Sequence, residues 1–119
     1  MTNVTDNVYF KQKLILNILK RLKINSSVTQ RNLAEELNVS LGSINYSIKS
    51  LILKGYIKAQ NFQKSDNKLS YMYILTPKGI AQKISLTQRF LKLKQLEYKE
   101  IQREIIELEK DLKQEVFDD

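Results

Sequence analysis

Residues 77–116 contain no proline after Pro77 and no glycine after Gly79. So long a stretch without a helix breaker predicts one continuous helix of about 40 residues, roughly 60 Å at 1.5 Å per residue. Thr76 stands just before Pro77, a capping hydroxyl followed by the residue best tolerated at a first helical position. Ile84, Leu91, Tyr98, Ile105 and Leu112 recur at heptad spacing, and Ile101 and Leu108 add the second stripe. The equivalent earlier positions are Thr87 and Lys94, so the seam is driest between Tyr98 and Leu112. A solitary helix of this length would leave the stripe in water. The pattern therefore predicts a homodimer joined through this helix, with a helix folded back on its own head as the alternative. Leu86, Phe90 and Leu93 lie on nearly the opposite face. The first half of the helix is thus expected to be wedged between its own head and something else.

Charge along this helix predicts its orientation in a pair. Residues 83–96 carry Lys83, Arg89, Lys92 and Lys94 and no acid, whereas residues 97–119 carry four bases and nine acids. Parallel pairing sets like against like, and antiparallel pairing matches basic against acidic halves. The expectation is an antiparallel pair, although each exposed ion pair contributes only ~0–1 kcal/mol.

Upstream, three shorter helices and a hairpin are expected. Across residues 8–22, Val8, Leu14, Ile15, Ile18, Leu19 and Leu22 mark one helical face, with Asp6 or Asn7 placed to cap its start. Asn25-Ser26-Ser27 reads as a loop. A short helix over residues 30–37 follows the capping residue Thr29 and turns Leu33, Ala34 and Leu37 inward. After the Asn38-Val39 turn, Ser40 caps a third helix reaching about residue 54, with Ile44, Ile48, Leu51 and Ile52 on its buried side. Gly55 stands where a left-handed C-terminal residue is wanted. The period then changes. Residues 56–62 and 70–75 are rich in aromatic and β-branched types and flank a polar stretch, which predicts a β-hairpin. The fold class is mainly α with a small β-hairpin: a winged helix-turn-helix over residues 7–76, followed by a long coiled-coil-like dimerisation helix over residues 77–116.

The residue inventory narrows the chemistry. The chain has no cysteine and no histidine. Thiolate and imidazole metal sites, Cys or Ser–His nucleophiles and His acid–base catalysis are all excluded by that absence. Gly42, Gly55 and Gly79 are too far apart for a phosphate-cradling loop. No enzyme activity, cofactor or metal is expected. Residues 1–82 hold 12 Lys/Arg against 4 Asp/Glu, whereas residues 83–119 hold 8 against 9. All the excess of the net +7 therefore sits in the first two-thirds, as expected if that part meets a polyanion. No apolar run reaches the ~18–20 residues of a membrane span, and the polar start with Asp6 is no signal peptide. A cytoplasmic location is expected.

The helix-turn-helix spans residues 33–46. Small Ala34 allows close helix approach, and Leu37, Val39 and Ile44 fill the angle. The second helix, residues 40–54, can then lie in a DNA major groove about 12 Å wide. With Ile44, Ile48 and Leu51 inward, the wheel turns Gly42, Asn45, Tyr46 and Lys49 outward, with Ser43 and Ser50 at the edges and Ser40 at the start. Gly42 lets the backbone approach DNA closely. Asn45 can pair bidentately with adenine, and Tyr46 offers a hydroxyl and an apolar ring. Lys49 and Lys54 suit phosphates, and Gln30 and Arg31 could hold a phosphate at the start of the preceding helix. The wing, residues 62–70, carries Lys64 and Lys68 for the backbone or an adjacent minor groove, with Asp66 opposing a closer contact.

Gln30-Arg31, Leu33-Ala34-Glu35-Glu36-Leu37, Val39-Ser40, Lys54-Gly55-Tyr56-Ile57 and Leu75-Thr76-Pro77-Lys78-Gly79 closely resemble MarR-type winged-helix regulators. Ser40-Leu41-Gly42, Asn45-Tyr46, Gln60-Asn61-Phe62, Asn67-Lys68 and Arg89-Phe90-Leu91 are similar to a subgroup found beside exopolysaccharide biosynthesis genes. The likeness covers about residues 14–98. The chain departs from the family in lacking the wing's Asp-x-Arg pair and in its short N-terminal segment. The resemblance implies a transcriptional regulator on double-stranded DNA. A symmetric dimer implies a pseudo-palindromic operator with half-sites one or two helical turns apart. A non-specific architectural DNA protein and a winged-helix protein–protein adaptor are the alternatives. Whether a small-molecule effector exists is not readable.

Overall fold

A computed structural model describes residues 4–63 and 69–117. Its elements are α1 (Val4–Ile24), α2 (Gln30–Leu37), α3 (Leu41–Leu53), β1 (Ile57–Gln63), β2 (Leu69–Leu75) and α4 (Pro77–Phe117). The chain divides into two compact units, Met1–Leu86 and Thr87–Asp119, so α4 begins within the first.

In the first unit α1, α2 and α3 close a core of Ile18, Leu19, Leu22, Val28, Leu33, Ala34, Ile44, Ile48 and Leu51, to which the hairpin adds Ile57 and Tyr73. No polar or charged residue is buried among the described residues. The core is therefore held by apolar burial, about 25 cal/mol per Å² of surface removed from water. Each α-helix of the motif is bounded by its own side-chain cap. Thr29 Oγ1 accepts from Asn32 N at 3.0 Å, and Asn38 closes α2 in the left-handed region at φ 55°. Ser40 Oγ accepts from Ser43 N at 3.0 Å to start α3.

The two strands pair antiparallel, with Ile57 opposite Leu75 and Ala59 opposite Tyr73. Because alternate residues share a face, Ile57, Ala59, Asn61, Tyr71, Tyr73 and Leu75 lie on one side of the hairpin. Tyr73 N also donates to Ser26 O at 2.8 Å, which ties β2 to the loop after α1.

The junction between α3, the hairpin and α4 is a compact hydrogen-bonded knot. Gly55, at φ 80°, ends α3 by donating to Ile52 O, and Tyr56 N donates to Leu51 O. Thr76 N donates to Tyr56 O at 3.1 Å, and Thr76 Oγ1 donates to Gly55 O at 2.6 Å. The same Thr76 hydroxyl oxygen accepts from Gly79 N, so it caps α4 while binding the end of α3. Lys78 Nζ donates to Lys54 O at 2.9 Å and lies 5.1 Å from the Tyr56 ring centre. A cation thus serves an otherwise orphaned carbonyl at the C-terminus of α3.

Three sequence expectations change. α1 begins at Val4, so Asp6 and Asn7 lie within the helix rather than at its cap, since no glycine or proline stops the preceding residues. Val8 is 41% exposed, because the apolar face of α1 runs beyond the core that covers it. Ile52 is 39% exposed: eight residues past Ile44 is about 80° round the helix, at the margin of the buried stripe. Conversely, Leu16 is fully buried although it lies outside the stripe read from the sequence, so α1 is apolar over a wider arc. α4 is continuous through residues 85–87.

Candidate nucleic-acid interface

The site is the solvent face of α3 together with the start of α2 and the hairpin. α3 is divided sharply by burial. Ile44, Ile48 and Leu51 are buried to within 1% of complete, whereas Tyr46 is 76% exposed. Gly42, Ser43 and Lys49 are exposed with it, and Ser50 is half-buried. A helix anchored by one face and bare on the other can be presented to a partner without exposing the core.

The N-terminal turn of α3 is built from its cap. Ser40 Oγ accepts from Ser43 N and donates to Ser43 Oγ at 2.9 Å. Both hydroxyl oxygens are thereby held at the helix start, and the Ser43 hydroxyl keeps its own hydrogen for donation. A Cβ added at Gly42 would meet nothing closer than Ser40 Oγ at 3.9 Å. Nothing in the surrounding packing requires glycine here. Leu41, 47% exposed on this same turn, is an outward apolar residue that the sequence did not single out. Its signal was an apolar residue directly after a cap, where its side chain has little core to reach. Such a group suits the methyl of thymine.

Asn45 is only half-buried on the outward side because it is held. Its Nδ2 donates to Gln30 Oε1 at 3.2 Å, and Gln30 Nε2 donates to Tyr73 Oη at 3.0 Å. One chain of hydrogen bonds therefore joins the hairpin, the start of α2 and the outward side of α3. Gln30, which the sequence offered as a possible phosphate ligand, has both ends of its amide engaged within the protein. Tyr73, the third member, was not singled out, because its hydroxyl becomes informative only once the hairpin register places it beside α2. Its ring stacks on that of Tyr71 at 6.3 Å, and Tyr71 is 58% exposed.

Arg31 and Lys49 are exposed. Lys54 is the C-cap of α3, opposite the Ser40 end and about 20 Å from it along the axis. Lys64 and Lys68 lie outside the described residues. In the second unit, Leu91, Tyr98, Ile101, Ile105, Leu108 and Leu112 are all exposed, from 48% at Ile105 to 66% at Leu108, and Ile84 in the first unit is exposed too. Ion pairs of Lys94 with Glu97 and Arg103 with Glu100 run along the same helix. No helix among the described residues is long and apolar enough to cross a membrane.

Residues 11–58 match the family model described as winged helix-turn-helix DNA-binding. No curated protein matches the chain. Among solved structures it is similar to a MarR transcriptional regulator from Methanosarcina mazei Go1, at 23% identity over 84% of this chain and 77% of that one, with a TM-score of 0.59. It is also similar to a MarR/EmrR family transcriptional regulator from Acinetobacter sp. ADP1, at 19% identity over 86% and 73%, with a TM-score of 0.58. A mutant of MepR from S. aureus is 19% identical over 98% of this chain and 78% of its own, with a TM-score of 0.59. The fold is that of a winged helix-turn-helix followed by a long C-terminal helix, as in these MarR-type structures.

Proposed function

We propose that this chain is a DNA-binding transcriptional regulator of the MarR type that acts as a homodimer. One observation carries the reading: α3 buries Ile44, Ile48 and Leu51 completely while exposing Tyr46 and Lys49 beside a half-buried Asn45. A helix of this kind enters the major groove with its N-terminal turns against base edges. Asn45 and Tyr46 then read bases. The Gly42 and Ser43 turn makes the close approach, with Ser40 holding it in shape. Arg31, Lys49 and the wing lysines Lys64 and Lys68 bind phosphates, which set register without carrying sequence information. Lys54, at the far end of α3, is assigned to the flanking backbone.

Dimerisation is assigned to the α4 stripe of Ile84, Leu91, Tyr98, Ile101, Ile105, Leu108 and Leu112, whose exposure supports a second copy covering it. Its charge asymmetry favours antiparallel pairing, with the basic part of one helix against the acidic part of the other. The operator is then a two-fold symmetric duplex in the cytoplasm. The likeness to the exopolysaccharide-associated subgroup makes the neighbourhood of such genes the first place to look for it.

Selection of bound duplexes from a random pool tests the reading. The expected result is an inverted repeat whose half-sites are about 10–10.5 base pairs, or twice that, apart. Enrichment of no sequence would favour a non-specific architectural protein, and no retention of duplex at all would favour a protein–protein adaptor.

A further inference from the structure

We infer that Gln30 is a positioning residue for base recognition, orienting Asn45 through a relay anchored on Tyr73, rather than a phosphate ligand. The inference rests on the DNA-binding reading of α3 given above.

The argument is one of donors and acceptors. An asparagine amide beside adenine must accept from N6 and donate to N7, so its oxygen and nitrogen must be presented in one order. A freely rotating amide presents both orders and loses entropy when it chooses. Here Tyr73 is buried to 8% exposure, with its ring in the core and its hydroxyl oxygen accepting from Gln30 Nε2 at 3.0 Å. That leaves Gln30 Oε1 facing α3, where it accepts from Asn45 Nδ2 at 3.2 Å. One Asn45 amide hydrogen is thus committed to Gln30. Asn45 keeps its second amide hydrogen and Oδ1, one donor and one acceptor, which are the group types that the adenine edge takes. Gln30, held at Tyr73, thereby restrains the Asn45 amide in this orientation before DNA arrives, and restraint in advance lowers the cost of binding.

A phosphate-holding role competes poorly for the same side chain. Both ends of the Gln30 amide are engaged, and turning it to a phosphate would break two hydrogen bonds in a half-buried position. The neighbouring Arg31 is exposed and carries the charge that a phosphate prefers.

The test uses the full chain, a selected duplex and all its single base-pair variants. Asn45→Ala first identifies the base pair that Asn45 reads, as the position where discrimination of about tenfold is lost. Gln30→Ala is expected to flatten discrimination at that same base pair to within about twofold, with affinity for random duplex unchanged on the same scale. Gln30→Glu keeps an acceptor toward Asn45, so it is expected to retain the base preference while weakening every duplex alike. If Gln30→Ala weakens selected and random duplexes equally and leaves the base profile intact, Gln30 is a phosphate ligand and the inference is overturned. An unchanged profile with unchanged affinity overturns it too. The relay is also read without DNA, from the Asn45 side-chain amide resonances of the free protein. These should shift in Gln30→Ala and in Tyr73→Phe. Resonances unmoved in both variants refute the relay even if the protein binds DNA. A wild type that binds no duplex refutes the functional reading, and the resonances alone then decide whether the relay exists.

Discussion

A methyl group added at Gly79 would overlap the carbonyl of Tyr56, whereas one added at Gly42 would find open space. The first glycine lets the start of α4 press against the turn that ends α3; the second leaves a bare spot on the outward turn of α3. In an ordinary helix, glycine to alanine gains up to about 1 kcal/mol. At Gly79 the overlap is with backbone, so Gly79→Ala is expected to destabilise the chain by about 1–3 kcal/mol, read as a lower urea midpoint. Gly42→Ala is expected to leave that midpoint unchanged or raised by as much as ~1 kcal/mol, while weakening binding to a selected duplex. A loss of stability there would mean that Gly42 serves the fold. Of these two roles, only that of Gly42 was legible. The sequence placed Gly42 on the outward side by helical phase, but Gly79 stood out only as part of a family-like block. The contact that explains it joins two segments whose approach depends on the hairpin between them.

At the scale of elements, legibility followed how local each signal was. The Ser40, Thr29 and Thr76 caps were readable because a cap depends on residues three apart, and all three hydroxyls accept the expected backbone N–H. The start of α1 was not, because a candidate cap is only a cap if the chain before it leaves the helix. Ile52 and Val8 were misplaced for another reason: helical phase gives a direction, but whether something lies in that direction is tertiary. The cap of α3 matters doubly, since it fixes the turn proposed to meet base edges. Ser40→Ala should cost about 1 kcal/mol in thermal or urea unfolding, and should weaken specific binding more than random binding. Equal losses on both duplexes would separate the cap from recognition. Lys64 and Lys68 lie outside the described residues, so the part proposed for them in recognition rests on their charge.

For the whole molecule, the uneven charge is the clearest guide. The basic excess resides in the head, and the acidic residues gather toward the end of α4. Binding to duplex should therefore fall linearly in log–log form as salt rises, by counterion release, and neutralising Lys49 should reduce the slope by about one unit. The long helix was legible from the absence of breakers, but what covers its apolar stripe is not a property of one chain. A charge placed in the apolar seam, Ile105→Asp, is expected to convert a dimer to a monomer in sedimentation and to weaken operator binding, because two linked heads bind more tightly than one. Orientation has its own check. The chain has no cysteine, so Leu91→Cys introduces a single thiol, and antiparallel pairing predicts little 91–91 disulfide under mild oxidation. Efficient bridging would mean parallel strands.

The most direct test of the central claim is fluorescence anisotropy at about 0.15 M salt, comparing a selected duplex with a random one for the wild type and for a variant lacking Asn45, Tyr46 and Lys49 side chains. The wild type should prefer the selected duplex by roughly a thousandfold or more, and the variant, melting like the wild type, should lose that preference. A folded variant that keeps the wild-type preference, or a wild type that binds both duplexes equally, would contradict the assignment of α3 as the reading helix.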